Sequence, residues 1–162
     1  MKSFNFDILY QFSDIFYRLA FSILKNEDDA NDCVQDLYMK FLNEKINIDE
    51  ILNIKTFSLK IIRNLCLDRI KLKKNYCEIS EIMNIASENQ AEIIENQDIV
   101  ELIRQKMKDL PEMQQTAVRL RDIEDFELAE IAEIMNINEV AVRVNLSRGR
   151  KFLREWLLMI NK

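Results

Sequence analysis

The chain of 162 residues has no histidine, one glycine (Gly149), one proline (Pro111) and three cysteines. So small a supply of turn formers excludes an all-β fold, whose many short strands need Gly- and Pro-rich connections. Without histidine, a Gly-rich phosphate loop or paired metal ligands, there is no assembled acid–base, nucleophilic or phosphoryl-transfer site. The expectation is a non-enzyme that uses no cofactor and no metal. Cys33, Cys66 and Cys77 are odd in number and lack CxxC spacing, so they read as reduced thiols packed as small hydrophobes. No window approaches the roughly 18 uninterrupted apolar residues that a membrane span requires, and Met1-Lys2-Ser3-Phe4-Asn5-Phe6-Asp7 carries no apolar signal core. A cytoplasmic protein with no direct membrane insertion is predicted.

What the chain has in quantity is Leu, Ile, Glu, Lys, Met and Asn in long helix-compatible runs, which predicts an all-α fold. The length allows one domain or two small ones. A net charge of −5 argues against a general nucleic-acid binder, but its distribution says more. Residues 1–74 hold 12 Lys/Arg against 11 Asp/Glu, residues 75–100 hold 0 against 6, and residues 101–162 hold 11 against 11. An acidic segment therefore separates two near-neutral halves.

Between residues 6 and 24, Leu9, Phe12, Phe16, Leu19, Ala20 and Ile23 recur at three- and four-residue steps, predicting one amphipathic helix. Asn26-Glu27-Asp28-Asp29 breaks that pattern and offers capping carboxylates to a second helix to about residue 42, with Ala30, Val34, Leu37, Tyr38 and Phe41 inward. A third helix is expected from about 54 to 74, its apolar side formed by Ile61, Ile62, Leu65, Cys66 and Ile70. Residues 75–91 have no Lys or Arg and read as a linker, although Ile79, Ile82, Met83 and Ile85 could equally form a short helix or dock onto a partner. A further helix is expected from about 92 to 108, and Pro111 can open the next one at its first position, running to about 121.

The sharpest local pattern is a helix-turn-helix. Its first helix carries Leu128, Ile131 and Met135 inward, with Ala132 as the small residue where a second helix crosses. Asn136 suits a left-handed turn and Asn138 an N-cap. Val142, Leu146 and Leu153 then form an inner stripe that leaves Arg143, Ser147, Arg148, Arg150 and Lys151 on or beside the solvent side. Arg makes bidentate contacts to both phosphates and guanine edges, so this face suits DNA; an isolated basic helical face can also be merely solvated.

These residues resemble a known family. Leu110-Pro111-Glu112, Arg119-Leu120-Arg121-Asp122-Ile123-Glu124, Glu130 to Met135, and Val142-Arg143 to Leu146-Ser147-Arg148-Gly149-Arg150 resemble the C-terminal promoter-binding domain of extracytoplasmic-function (ECF) sigma factors of bacterial RNA polymerase. Asp28 to Phe41 is similar to that family's core-binding helix, and Phe57 to Asp68 to its promoter-melting helix. The resemblance implies two small helical domains joined by an acidic linker: a bundle at 1–74, the linker at 75–98 and a helix-turn-helix domain at 99–162.

It also implies roles. Asp32, Gln35 and Asp36 share one helix face by their i, i+3, i+4 spacing and are expected to bind core polymerase, whose β′ and β subunits are the expected partners, at the β′ clamp helices. Without the family, that face is also explained as a solvated acidic first turn. Phe57, Lys60, Arg63, Asn64, Lys71 and Lys74 are expected at the minus-ten element, with Asn64 reading an unstacked base; Phe57, where the family usually has Trp, serves equally as core or as stacking platform. Arg143, Val144, Ser147, Arg148 and Arg150 are expected at the minus-thirty-five element. The linker is either an RNA-repelling strand or a solvated tether. An anti-sigma partner is expected on the apolar surface between the domains.

The chain departs from the family pattern at Asp125, Glu127, Asn136 and Ala141, where Gly, Ser, Gly and Thr are usual, and at Gly149, where Ala is common. Two other readings of the residues are a stand-alone helix-turn-helix regulator, which would have no need of an Asp32/Gln35/Asp36 face, and a helical adaptor that binds only protein.

Overall fold

A computed structural model describes residues 6–79 and 98–162 of the chain. The third helix runs on to Ile79, past its expected end near 74 and into the first residues of the expected linker; the rest of that linker, with Ile82, Met83 and Ile85, and the expected helix start near 92 lie outside the described residues, as does the side chain of Cys77. Every described element is helical: α1 (Asp7–Tyr10), α2 (Ser13–Leu24), α3 (Glu27–Asn43), a 3₁₀ turn (Ile48–Glu50), α4 (Ile54–Ile79), α5 (Ile99–Met107), α6 (Glu112–Val118), a π-helical turn (Arg119–Ile123), α7 (Leu128–Met135) and α8 (Glu139–Ile160).

The helix expected over 6–24 is two helices. Phe12 leaves helical geometry at φ −104°, ψ 8°, while its N–H bonds the Leu9 carbonyl and its own carbonyl accepts from Phe16. The helix is interrupted there while the apolar spacing continues, which is why the periodicity runs through it unbroken. The cap of α3 is the Asn26 amide and not a carboxylate: its side chain accepts from the Asp29 N–H at 2.9 Å, while the acids Glu27, Asp28 and Asp29 lie in the positive first turn. Leu9, Phe16, Leu19, Ala20, Ile23, Ala30, Cys33, Leu37, Phe41, Leu59, Ile62 and Cys66 form the buried interior of this half. Burial pushes the thiols of Cys33 and Cys66 up, so both remain protonated, inert packing groups at neutral pH.

In the C-terminal half, Asp98 caps α5 and Pro111 sits at the N-cap of α6, one position before the first helical residue. The helix-turn-helix forms as its sequence predicts. Asn136 takes the left-handed conformation (φ 53°, ψ 45°), and the Asn138 side chain accepts from the Ala141 N–H at 2.8 Å to cap α8. Asp125 is also left-handed at φ 58°, so two of the positions where the family carries Gly use the polar residues that tolerate that region best. Ile131, Ile134 and Met135 of α7 and Val142, Leu146, Gly149 and Leu153 of α8 are buried.

The halves also pack against each other, α2 on α6 and α4 on α7, so the surface expected between the domains is occupied by their own contact. At this junction Arg18 makes a two-point ion pair with Glu124 (2.9 and 2.9 Å), Asn53 donates to Glu130 (3.0 Å) and Lys25 donates to the Lys108 carbonyl (3.0 Å). Lys55 lies 4.6 Å from the Phe126 ring centre, a cation–π contact.

Candidate nucleic-acid interface

Three surfaces collect the residues expected to act. On α3 the inward side is Ala30, Cys33, Val34, Leu37 and Phe41, which leaves Asp32, Gln35 and Asp36 exposed on the opposite side. The acids are not isolated. Arg69 of α4 donates from Nη2 to Asp36 at 2.9 Å and lies 3.6 Å from both Asp32 and Asp29, and Lys73 pairs with Asp29. The hydrogen bond to Asp36 raises the Arg69 pKa further, so the guanidinium is a permanent charge on this face. Asp29 and Arg69 escaped sequence reasoning because their partnership spans two helices 40 residues apart.

On α4 the basic row is divided. Asn64, Lys71 and Lys74 are exposed, Phe57 and Lys60 are half-buried, and Arg63 is only 5% exposed. The Phe57 ring meets Phe41 edge-on with centres 6.1 Å apart, which favours its packing role over a stacking platform. Arg63 is enclosed by the C-terminal half. Its Nε and Nη2 donate to the two Glu112 carboxylate oxygens at 3.2 and 3.0 Å, and Nη1 donates to the Met135 carbonyl at 3.2 Å. Arg63 thus reaches DNA only if that junction opens, a feature hidden from periodicity because a covered basic position and a solvated one look alike in sequence.

On α8, Arg143, Val144, Ser147, Arg148 and Arg150 are all exposed. Arg143, Ser147 and Arg150 line a cavity of about 560 Å³ together with Arg121, Lys151 and Arg154. Val144 and Arg148 are not among the lining residues. Arg154 continues the helical step of the basic face and was legible in spacing; Arg121 comes from the π-helical turn and was not. Three of the arginines are already engaged: Arg150 makes a two-point ion pair with Asp122 (3.0 and 2.5 Å), Arg143 pairs with Glu139 one turn back (3.2 Å), and Arg121 donates to the Phe126 carbonyl at 2.8 Å and lies 3.5 Å from Glu127. The hydrogen bond to Asp122 raises the pKa of Arg150. Five cations around one concave, solvated surface make a site for a polyanion, and the fork geometry of Arg suits phosphate oxygens and guanine edges.

Comparison with known proteins matches these surfaces to two families. Residues 11–75 match the family described as Sigma-70 region 2, and residues 101–153 that described as Sigma-70, region 4. The RNA polymerase sigma factor SigV of Bacillus subtilis is 34% identical over 140 residues, covering 86% of this chain and 82% of SigV. The ECF RNA polymerase sigma factor SigW of the same organism is 32% identical over 166 residues, covering 93% of this chain and 87% of SigW. Among solved structures, the sigma factor RpoE in complex with the anti-sigma factor NepR from Bartonella quintana gives a TM-score of 0.70 at 22% identity, covering 97% of this chain and 99% of that one. CnrH in complex with the cytosolic domain of CnrY gives 0.64 at 17% identity, covering 93% and 85%. At these identities the structural likeness speaks to the fold.

Proposed function

Because the chain belongs to the ECF group of the sigma-70 family of RNA polymerase sigma factors, we propose a division of its promoter-recognition task in which residues 1–74 grip core enzyme and read the minus-ten element, residues 75–98 tether the halves, and residues 99–162 read the minus-thirty-five element. The observation that carries this division is the separation of an exposed acidic face on α3 from a basic concave face on α8. One suits arginines of a protein partner and the other suits a duplex.

In this reading Asp32, Gln35 and Asp36 meet the β′ clamp helices, with Arg69 sharing the charge of the two acids. Asn64 has the donor and acceptor needed to pair with the edge of an unstacked base, and Lys60, Lys71 and Lys74 follow the adjoining phosphates. Arg63 joins them once exposed, and Phe57 supports the helix from within. Arg143, Ser147, Arg148 and Arg150 take the edges and phosphates of the minus-thirty-five duplex, while Val144, 41% exposed, makes apolar contact with a base. Phosphodiester synthesis stays with the polymerase, and the site of action is the cytoplasm, where the polymerase works. Among the described residues no helix is long and apolar enough to cross a membrane. A protein partner of the kind that NepR is for RpoE is inferred to hold the factor inactive.

Transcription with purified core enzyme on a panel of candidate promoters tests the assignment. Initiation that requires both core enzyme and this chain is expected. Tight, sequence-specific operator binding by the chain alone, on symmetric half-sites, would instead favour a stand-alone regulator.

A further inference from the structure

Each described polar contact across the junction between the halves runs in one direction. The N-terminal half donates, through Arg18, Lys25, Asn53 and Arg63, and the C-terminal half accepts, through Glu124, the Lys108 carbonyl, Glu130, Glu112, the Met135 carbonyl and the Met113 sulfur. A surface that offers only acceptors to a row of cations and amides is what a nucleic-acid backbone offers. The Arg63–Glu112 contact is the closest likeness, because the carboxylate sets one oxygen on each of two nitrogens of the guanidinium fork, the two-point pairing arginine also makes with a phosphate. Thr116 holds the carboxylate in that pose, its hydroxyl 2.9 Å from the oxygen that accepts from Arg63 Nε.

We propose that Glu112 is an internal substitute for a nucleic-acid phosphate, seated on Arg63, which keeps the chain closed and must be displaced before α4 receives a promoter strand. The proposal rests on the reading of α4 as the strand-facing helix. Arg63 has no room for a second anion: its Nε and Nη2 hold Glu112, its Nη1 holds the end of α7, and almost none of it is exposed. Binding of a strand at Arg63 and closure of the halves are therefore mutually exclusive. Each lowers the apparent affinity of the other by the fraction of chain in the competing state. The exposed acidic face on α3 lies outside this competition, since among the described residues Asp32 and Asp36 pair with Arg69 of their own half and not across the junction. Core enzyme can then dock on a closed chain first.

The test uses the full chain, with small-angle X-ray scattering for closure and fluorescence anisotropy with a labelled single-stranded dT20 for strand affinity. Glu112→Lys is expected to enlarge the radius of gyration and to raise dT20 affinity about tenfold. Glu133→Lys adds the same charge on the exposed side of α7 and serves as the control, expected to leave the radius unchanged and affinity within about twofold. Glu112→Gln, which keeps the shape and removes the charge, should shift both readouts part of the way. The exchange Arg63→Glu with Glu112→Arg should return the radius to the wild-type value. A radius and a dT20 affinity in Glu112→Lys no different from those in Glu133→Lys overturn the proposal. So does opening without a gain in strand affinity. Core-dependent transcription by the unaltered chain reports on the functional reading separately, so the failure of one is distinguishable from failure of the other.

Discussion

Arg69 of α4 bonds Asp36 of α3 at 2.9 Å, so the helix proposed to grip the polymerase and the helix proposed to read the promoter are joined through a side chain that belongs to both surfaces. Arg69 also approaches Asp32 and Asp29, and Lys73 approaches Asp29. Three carboxylates against two cations leave this face negative overall. Because Asp36 gives Arg69 one oxygen at bonding distance, its second oxygen is available to an incoming cation.

Reversing that charge should therefore break the grip without breaking the fold. Asp36→Arg and Asp32→Arg each replace an exposed acid, so the melting temperature should move by no more than a few degrees. Affinity for core enzyme should fall at least about tenfold, given that charge-assisted hydrogen bonds are worth about 1.5–3 kcal/mol each. Co-sedimentation or surface plasmon resonance against immobilised core enzyme checks it, and unchanged affinity in both variants removes the α3 face from the polymerase contact.

A different relationship governs α8. A Cβ built on Gly149 falls 2.8 Å from Val118 Cγ2 and 3.5 Å from the Gln114 carbonyl oxygen, so the glycine allows α6 and α8 to approach closely. Gly149→Ala gains about 1 kcal/mol of helix propensity but overpacks a buried valine, at a cost of about 1–3 kcal/mol. A net loss of up to about 2 kcal/mol is expected, read by urea denaturation. Adding Val118→Ala, which makes room for the new methyl, should lower that penalty in a double-mutant cycle; strict additivity of the two changes would show that they do not touch.

The helix-turn-helix, α2 and α3 were legible because each buries one stripe, and a single stripe leaves a 3.6-residue period in the sequence. α4 does not follow that rule. Thr56, Leu59, Ile62, Arg63 and Cys66 are all buried, since one side meets α2 and α3 and another meets α7; of the expected apolar side Ile62 and Cys66 are buried, while Ile61, Leu65 and Ile70 are only half-buried. Periodicity locates the core of a helix's own domain but carries no signal for a second domain that covers a polar side. The same limit hid Glu112, an acid just inside a helix N-terminus that reads in sequence as ordinary dipole compensation. The break at Phe12 was invisible because the apolar spacing continues across it. By contrast Asn136 and Asn138 revealed their backbone roles directly, because the chemistry of their side chains selects the conformation.

Asn136 offers a clean check of that inference. With φ at 53° an alanine there meets the left-handed penalty of about 1–2 kcal/mol, moderated for Asn by local polar contacts. Asn136→Ala should lower the melting temperature by several degrees, whereas Asn136→Gly should stay within about 0.5 kcal/mol of the natural chain or exceed it. Equal loss in both variants would mean that the amide side chain, and not the backbone angle, is what the turn needs.

Arg143 and Arg150 line the same cavity, yet they should fail differently when removed. Arg150 is committed to Asp122 by two bonds and thereby ties α8 to the π-helical turn before α7; both side chains are partly exposed, so the pair is worth at most about 1 kcal/mol. Arg143 makes only a one-point contact with Glu139, an i,i+4 pair on the open helix face, and can leave it without disturbing anything else. Arg143→Ala should thus leave the melting temperature unchanged. In holoenzyme it should cost about 1–3 kcal/mol at promoters with an intact minus-thirty-five element and little at promoters lacking one. Arg150→Ala should lower stability slightly, and Asp122→Ala should lower it by a similar amount while freeing Arg150 for phosphate. The holoenzyme carrying Asp122→Ala is then expected to bind promoter DNA more tightly than the natural one at low salt, with a slope of log affinity against log salt steeper by about one unit. An Asp122→Ala slope equal to the natural one would mean that Arg150 already reaches phosphate from within its ion pair.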